Sequence, residues 1–210
     1  MLMAAMGSIH GHLSALEAVL RAIDDAGIQT IVNTGDCAVG HPWPNEVIDI
    51  LRARGMLSVQ GERDRNVARF VRKEKSLRVA CTPEEYEALR ETYAMLRSDN
   101  VEFLVGLPRR RTIVVDGISI CLCHGSPHSQ IDALRADDDT VRLRRVRESV
   151  NTDLLVCGRE PEPFARWVDN ALFVNPGAMH APSDANRCAR YAVIDTEREP
   201  WQAHFHSAAF

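Results

Sequence analysis

Four short polar stretches directly follow apolar runs that are typical of β-strands. These stretches are Gly7 to His12, Gly35-Asp36, Gly61 to Asp64, and His124 to Pro127. Imidazole and carboxylate groups are ligands for transition metals, and they also transfer protons. In open α/β sheets, the loops at the carboxyl ends of the strands form the crevice where ligands bind. The pattern therefore predicts one polar site built from loops that are far apart in the sequence.

The apolar residues between these stretches predict alternating strands and helices. A strand over Leu2 to Met6 precedes a helix, because apolar residues then recur at three- and four-residue spacing at Leu13, Leu16, Val19, Leu20 and Ile23. The next strand, helix and strand are predicted over Thr30 to Asn33, Glu46 to Arg54, and Met56 to Val59. Such alternation is typical of crossover connections and a largely parallel sheet.

The alternation stops over residues 65–107, where the sequence predicts a helical insertion. Thr82 precedes a proline and is followed three residues later by Glu85, which is the signature of a helix start. Asp116-Gly117 then predicts a hairpin turn between two strands. A helix and three strands complete the prediction, over Thr140 to Val150, Leu154 to Cys157, Leu172 to Asn175, and Tyr191 to Asp195.

Length and composition limit the possible classes of protein. A chain of 210 residues is the size of one larger domain, so we predict a single domain over 1–210. The formal net charge of -4 argues against a binder of double-stranded nucleic acid. The first apolar stretch is too short for a membrane span. Six cysteines without a Cys-x-x-Cys pair are typical of reduced thiols in a cytoplasmic protein.

The order of the motifs resembles that of the calcineurin-like metallophosphoesterases, in particular their small bacterial single-domain members. The resemblance rests mainly on Ile9-His10-Gly11, Gly35-Asp36, Gly61-x-x-Asp64, His124-Gly125-Ser126-Pro127 and Asn175-Pro176-Gly177. It implies an α/β fold in which two β-sheets form a sandwich flanked by helices, giving four layers. It also implies phosphoric ester hydrolysis at a two-metal centre in the loops at one edge.

Several positions depart from the ligand set that this resemblance implies. Ser8 stands where the family has an aspartate, and Glu62 and Arg63 replace an asparagine and a histidine. Arg159 and Pro161 replace the two histidines of the last motif. The metal-binding motifs are therefore degenerate.

The remaining ligands predict one metal site at most. The first site would keep only His10 and Asp36, whereas the second keeps Asp36, Glu62 and His124. Three such ligands can hold Mn²⁺, Fe²⁺ or Zn²⁺. We expect one divalent transition metal at most, and a site without metal stays open as an alternative.

The remaining site residues have more than one interpretation. The resemblance makes His10, near the attacking water, and Asp64 the catalytic candidates. Arg63 and Arg159 either replace missing metal charge, with Arg159 pairing with Asp36 or Glu62, or form an anion pocket for phosphate, or face a partner. Replacement metal ligands are also conceivable at His12, His41, His128 and His180.

The sequence therefore predicts a divergent protein with impaired two-metal chemistry. It would be non-catalytic or weakly active and would bind a phosphorylated small molecule or a protein partner. The alternative is a single-metal phosphoesterase that hydrolyses a phosphomonoester or a phosphodiester. Whether the protein is an enzyme, its substrate and its oligomeric state all stay open.

Overall fold

Two five-stranded β-sheets lie face to face, with helices on the outer face of each. The computed structural model describes residues 1–179, 187–197 and 199–210. The first sheet has the strand order β10-β9-β1-β2-β3, and the second has the order β4-β5-β6-β8-β7.

The first sheet contains the three amino-terminal strands and the two carboxyl-terminal strands. Their bounds are β1 Leu2–Met6, β2 Thr30–Asn33, β3 Leu57–Ser58, β9 Cys188–Asp195 and β10 Gln202–Ala209. Strands β1, β2 and β3 are parallel, while β9 is antiparallel to β1 and to β10. Two helices connect the parallel strands, α1 Leu13–Asp25 and α2 Pro44–Ala53.

The second sheet is formed by the middle of the chain. Its strands are β4 Arg110–Val115, β5 Ile118–Cys123, β6 Leu154–Val156, β7 Phe164–Val168 and β8 Ala171–Asn175. The central strands β5, β6 and β8 are parallel, and the edge strands β4 and β7 are antiparallel to their neighbours. Helix α7, Thr140–Val150, connects β5 to β6.

The stretch in which the sequence predicts a helical insertion contains four consecutive helices. They are α3 Glu62–Ala68, α4 Phe70–Ala80, α5 Pro83–Met95 and α6 Ser98–Gly106. As expected, Thr82 caps α5: its side chain accepts from the Glu85 amide, and the Glu85 carboxylate accepts from the Thr82 amide. Buried residues of these helices, such as Phe70 and Leu104, share one apolar cluster with α1 and β1.

Apolar side chains fill the space between the sheets and beneath both helical layers. Met3 and Val32 of the first sheet meet Ile120 and Val174 of the second in the central layer. The opposite face of the second sheet packs on α7 through a separate cluster that includes Phe173. Because the parallel strands are buried on both faces, they are nearly continuous apolar runs.

Two strands, β7 and β10, were not predicted from the sequence. Both lie at an edge of a sheet, and most of their side chains are at least partly exposed. Strand β10 has one large apolar side chain, whereas β7 is mostly apolar, so only the β10 sequence lacks a strong apolar signal. None of the described helices has the length and apolar character needed to cross a membrane.

Candidate functional site

Hydrogen bonds of the backbone and of the His124 and Asp64 side chains join the loops that follow β1, β2, β3, β5 and β6. The amides of Ser8 and His10 donate to the carbonyls of Gly35 and Asp36, each at 2.9 Å. The Gly158 amide donates to the His124 carbonyl at 2.7 Å. The polar stretches predicted to form one site therefore lie together at one edge of the sandwich.

Four non-glycine residues of these loops have left-handed backbone conformations. Their φ angles are 51° at Ser8, 54° at His10, 56° at Asp36 and 66° at Arg159. Such angles are uncommon outside glycine, and they cluster at functional sites, where surrounding contacts hold the backbone. His10 and Asp36 match the motifs of the family, whereas Ser8 and Arg159 are substitutions within those motifs.

Asp64 positions the loop that carries Asp36. One oxygen of its fully buried carboxylate accepts the Asp36 amide at 2.8 Å and the Gly61 amide at 3.1 Å. The other oxygen accepts the amides of Cys37 at 2.9 Å and Ala38 at 3.3 Å, and the Cys37 thiol at 3.3 Å. Burial raises the pKa of Asp64, and the nearby Asp36 charge adds to that rise. Asp64 therefore contacts the loop backbone rather than the Asp36 carboxylate.

Gly35 and Gly61 allow the loops after β2 and β3 to approach closely. A Cβ atom at Gly61 would lie 2.1 Å from Asp36 Oδ1 and 2.2 Å from the Asp36 nitrogen. A Cβ atom at Gly35, whose φ is +94°, would lie 2.5 Å from the Gly61 nitrogen. Any side chain at Gly61 would therefore displace Asp36.

Asp36 and His124 form a buried pair. His124 Nε2 lies 3.4 Å from Asp36 Oδ2, and Asp36 Oδ1 accepts the Arg63 amide at 2.8 Å. Burial alone would raise the pKa of Asp36, but His124 and His10 outweigh it and hold that pKa well below its usual range. Burial would likewise lower the pKa of His124, but the Asp36 carboxylate raises it.

The orientation of the His124 ring leaves one nitrogen for a ligand. Its Nδ1 lies 2.8 Å from the Thr34 carbonyl, to which it donates as Nδ1–H. Its Nε2 is buried and makes no well-directed hydrogen bond with any described residue. A histidine that binds metal through one nitrogen commonly donates from the other to a backbone carbonyl. The arrangement therefore fits a cation shared by His124 Nε2 and Asp36 Oδ2.

His10 has a similar orientation at the same edge. Its Nδ1 lies 3.0 Å from the Val39 carbonyl, which directs Nε2 away from that contact. Burial lowers the pKa of His10, and Arg63 also lowers it, whereas Asp36 acts in the opposite direction. The imidazole is therefore held neutral near neutral pH, and Nε2 keeps its lone pair for a proton or a cation.

Glu62 and Arg159 form an ion pair between Arg159 Nη1 and Glu62 Oε2. The side chains are 27% and 32% exposed, so water screens the pair. Of the two partners considered for Arg159, the structure selects Glu62. Both positions that the resemblance associates with metal ligands are thus occupied by groups that neutralise each other.

Arg63 lies beside this pair at the wall of a cavity of about 320 Å³. Arg159 and Glu62 line the same cavity. Within the described part of the chain, no carboxylate lies within ion-pair distance of the Arg63 guanidinium. Arg63 is thus placed to meet an anion in the crevice.

The metal-binding potential of the described residues is small. Among them, no group of three or more His, Cys, Asp and Glu side chains is arranged to hold a metal ion. Asp36 and His124 supply two converging donors, and His10 is close enough for its charge to lower the pKa of Asp36. Glu62, predicted as a third ligand, is paired with Arg159 instead.

Three of the four additional histidines make contacts with residues other than Asp36 and His124. His12 Nδ1 accepts the Ala15 amide at the start of α1, and its ring is 4.3 Å from that of His41. His128 Nε2 is 2.7 Å from the Ser149 hydroxyl. His180 lies outside the described residues.

Sequence reasoning missed the carbonyls of Thr34 and Val39, which orient the two site histidines. A backbone carbonyl has no signature in the residue type. Thr34 directly follows a predicted strand, and only that placement could have indicated that its carbonyl lies at the site.

Fold and site together define a calcineurin-like phosphoesterase. The sequence model of the calcineurin-like phosphoesterase superfamily domain matches residues 1–199, so the chain belongs to this family. It is 26% identical over 213 residues to the uncharacterized protein MJ0912 of Methanocaldococcus jannaschii, covering 92% of this chain and 82% of that one. The resemblance inferred from the motifs is confirmed.

Solved structures confirm the fold class. A metallophosphoesterase from Sphaerobacter thermophilus is 25% identical, with a TM-score of 0.76, and the match covers 100% of this chain and 89% of that one. The hypothetical protein PH1004 from Pyrococcus horikoshii is 20% identical, with a TM-score of 0.86 and coverage of 100% and 88%. Vps29 from Entamoeba histolytica, crystallised with Zn²⁺, is 17% identical, with a TM-score of 0.55 and coverage of 99% and 98%.

Proposed function

We propose that this protein binds a phosphorylated ligand at a centre holding one divalent transition metal at most, and that it has lost efficient two-metal hydrolysis. The metal, Mn²⁺, Fe²⁺ or Zn²⁺, would be held by Asp36 and His124 with His10 beside them. The phosphate would meet Arg63. The ligand is a small molecule or a phosphorylated protein.

The ion pair between Glu62 and Arg159 is the main support for this proposal. Two-metal hydrolysis needs two cations about 3.5–4 Å apart, one for the attacking oxygen and one for the leaving oxygen. Arg159 places a fixed positive charge where the family has a metal-binding histidine, and Glu62 is engaged by that charge. A second cation would therefore have to displace a guanidinium.

The nitrogen Nε2 of His124, which contacts Asp36 at 3.4 Å without a well-directed hydrogen bond, supports retention of one metal. A buried polar atom without a hydrogen bond costs free energy, and a bound cation would remove that cost. Asp36 is already ionised, because its pKa is held well below the usual range. A bound divalent cation would supply Lewis acidity to a phosphoryl oxygen.

Arg63 supports binding of phosphate rather than its hydrolysis. A guanidinium can donate two parallel hydrogen bonds to phosphate oxygens. It stays protonated at any physiological pH, so it cannot supply the proton that a leaving group needs. Arg63 therefore stabilises a bound phosphate without general acid catalysis.

A single-metal phosphoesterase is the second candidate, and His10 favours it. Its neutral imidazole has a free Nε2 beside Asp36, as a general base for an attacking water requires. In this reading, the protein would hydrolyse a phosphomonoester or a phosphodiester slowly.

The experiment measures metal content, phosphate binding and hydrolysis on the same preparations. Wild type, His124→Ala and the matched control His128→Ala are loaded with Mn²⁺, dialysed and assayed by elemental analysis. Binding of inorganic phosphate and turnover of an aryl phosphodiester are then measured. We expect at most one metal per wild-type chain, loss of that metal in His124→Ala only, and weak turnover.

Two further results decide between the candidates. Turnover that His10→Gln abolishes while phosphate binding persists would support the single-metal phosphoesterase. Two tightly held metals per wild-type chain would contradict the proposal. The double variant Glu62→Asn/Arg159→His, which removes the ion pair and restores a metal-binding side chain, should raise the metal content.

The chain is further proposed to be cytoplasmic. All six cysteines are free thiols, and four of them are buried. Free buried thiols are typical of a reducing compartment.

A further inference from the structure

A second cavity adjoins the one that contains Arg63. We call the cavity lined by Glu62, Arg63 and Arg159 the inner cavity, and its neighbour of about 280 Å³ the outer cavity. Both are lined by the four residues Arg65, Asn66, Leu77 and Ala80. The two cavities therefore adjoin at these residues of α3 and α4.

The outer cavity carries a cationic patch. Arg65, Arg69 and Lys73 line it together with the neutral polar residues Asn66 and Ser76. No carboxylate is among its lining residues, and no carboxylate elsewhere in the described ranges forms an ion pair with the three cations. Three neighbouring positive charges thus face solvent without compensation.

This patch contrasts with the charge of the whole chain. The formal net charge of the chain is -4, yet residues 62–80 contain seven basic and three acidic residues. Of the three acids, Asp64 is buried, Glu62 is paired with Arg159, and Glu74 accepts the Tyr86 hydroxyl. A concave wall of one sign concentrates anions of the opposite sign.

The wall between Arg63 and the cationic patch is largely neutral. Val39, Leu77, Ala80 and Leu89 line the inner cavity. Glu85 also lines it, but its carboxylate accepts the Thr82 amide at the start of α5. Five residues separate Arg63 from Arg69, the residue that follows α3, and these six residue steps correspond to about 9 Å along a helix axis.

From this arrangement, and resting on the proposed phosphate site, we propose that the ligand is a small molecule with two anionic groups. One phosphate lies in the inner cavity at the guanidinium of Arg63, whose backbone amide donates to Asp36. The second anionic group, a phosphate or a carboxylate, lies against Arg65, Arg69 and Lys73. A neutral or apolar spacer of about six atoms joins them across Leu77 and Ala80.

The lining residues favour a small bis-anion over a single-stranded nucleic acid. Proteins that bind single strands stack successive bases on aromatic side chains. Neither cavity has an aromatic residue among its described lining residues. Without a stacking surface, the inner and outer cavities offer cations at Arg63 and in the cationic patch, with the apolar residues Leu77 and Ala80 between them.

The test compares two probes that differ only in the second anion. Hexyl phosphate and hexane-1,6-diyl bisphosphate are titrated calorimetrically into the Mn²⁺-loaded full chain. We expect the bisphosphate to bind roughly tenfold more tightly, because its second phosphate can make charge-assisted hydrogen bonds that hexyl phosphate lacks.

Charge-matched variants locate the second anion. Arg69→Gln/Lys73→Gln removes two cations of the patch, and Arg72→Gln/Lys75→Gln removes two exposed cations of α4 that line neither cavity. The first variant should remove the advantage of the bisphosphate while keeping the affinity for hexyl phosphate. The second should leave both affinities unchanged. Lys73→Gln alone serves if the first variant does not fold.

The outcomes separate this inference from the proposed function. Failure of hexyl phosphate to bind contradicts the proposed phosphate site and, with it, this inference. Binding of hexyl phosphate without a gain for the bisphosphate overturns only the inference. An equal loss in both charge-matched variants, or a hexathymidylate that binds more tightly than the bisphosphate, also overturns it.

Discussion

Asp64 holds the backbone of Asp36 rather than its carboxylate. Asp64 Oδ2 accepts the Asp36 amide at 2.8 Å, and the Asp36 carboxylate is turned towards His124. A buried carboxylate that accepts several N–H groups fixes the conformation of a loop. Asp64, a catalytic candidate by its motif, is therefore placed as a positioning residue for the site.

Replacement of Asp64 by asparagine should destabilise the protein and loosen the metal site. An amide has one acceptor oxygen, so its NH₂ group would face backbone amides that need an acceptor. Leaving such buried donors unpaired costs about 1–3 kcal/mol each, so we expect a loss of about 3 kcal/mol or more in the free energy of unfolding. Urea denaturation with and without Mn²⁺ measures both effects.

Asp139→Asn is the matched control. Asp139 also caps a helix, accepting the Val141 amide at the start of α7, but it is exposed. Asparagine caps helices about as well as aspartate, so its stability should change by less than about 0.5 kcal/mol. Equal losses in the two variants would contradict a positioning role for Asp64.

Gly61→Ala should displace Asp36. The added Cβ atom would meet Asp36 Oδ1 at 2.1 Å and the Asp36 nitrogen at 2.2 Å, and neither atom can move freely. Forcing atoms into a packed region typically costs about 1–3 kcal/mol. We expect that loss together with a lower metal content by elemental analysis.

Gly106→Ala tests whether this effect is specific to the site. A Cβ atom at Gly106, at the end of α6, would meet nothing within 4 Å. This control should keep its metal and its stability. A Gly61→Ala protein with full metal content would show that Asp36 is not held by this close approach.

The central strands and the polar loops follow from local sequence patterns. Leu2–Met6 is a continuous apolar run, and Thr30–Asn33 has an apolar centre, because both faces of the sheet are covered, so their positions are predictable. The edge strand Gln202–Ala209 is largely exposed, and Phe205 is its one large apolar side chain. Pairing with β9 determines that strand, and pairing is not visible in its own sequence.

The partners of the site residues are less predictable than their positions. The motifs place Asp36, His124 and Arg159 at one edge, but which carboxylate Arg159 reaches depends on a loop with a left-handed φ at that residue. The role of Asp64 depends likewise on three amides of a different loop. Such contacts are set by tertiary packing.

Arg159→Ala should cost little stability. Removing one partner of a fully buried ion pair costs about 3–5 kcal/mol. Arg159 pairs with Glu62, and both side chains are about a third exposed, so we expect about 1 kcal/mol or less. A double-mutant cycle with Glu62→Ala measures the coupling, and thermal unfolding with phosphate measures any anion binding by Arg159.

The pH dependence of His124→Gln should reverse on addition of metal. In chelator-treated protein, burial lowers the pKa of His124, but the Asp36 carboxylate outweighs burial. The pKa is therefore raised above its unfolded value of about 6.5. Its protonated pairing therefore stabilises the fold fully below about pH 6.5, and that stabilisation is lost as pH rises through the folded pKa. The stability lost in the variant should thus be larger at about pH 6 than at about pH 8.5.

Metal binding requires the neutral imidazole, so with Mn²⁺ the loss should be larger at the higher pH. Urea denaturation of wild type, His124→Gln and the control His128→Gln at both pH values checks this. The same pH dependence with and without Mn²⁺ would show that His124 does not bind the metal.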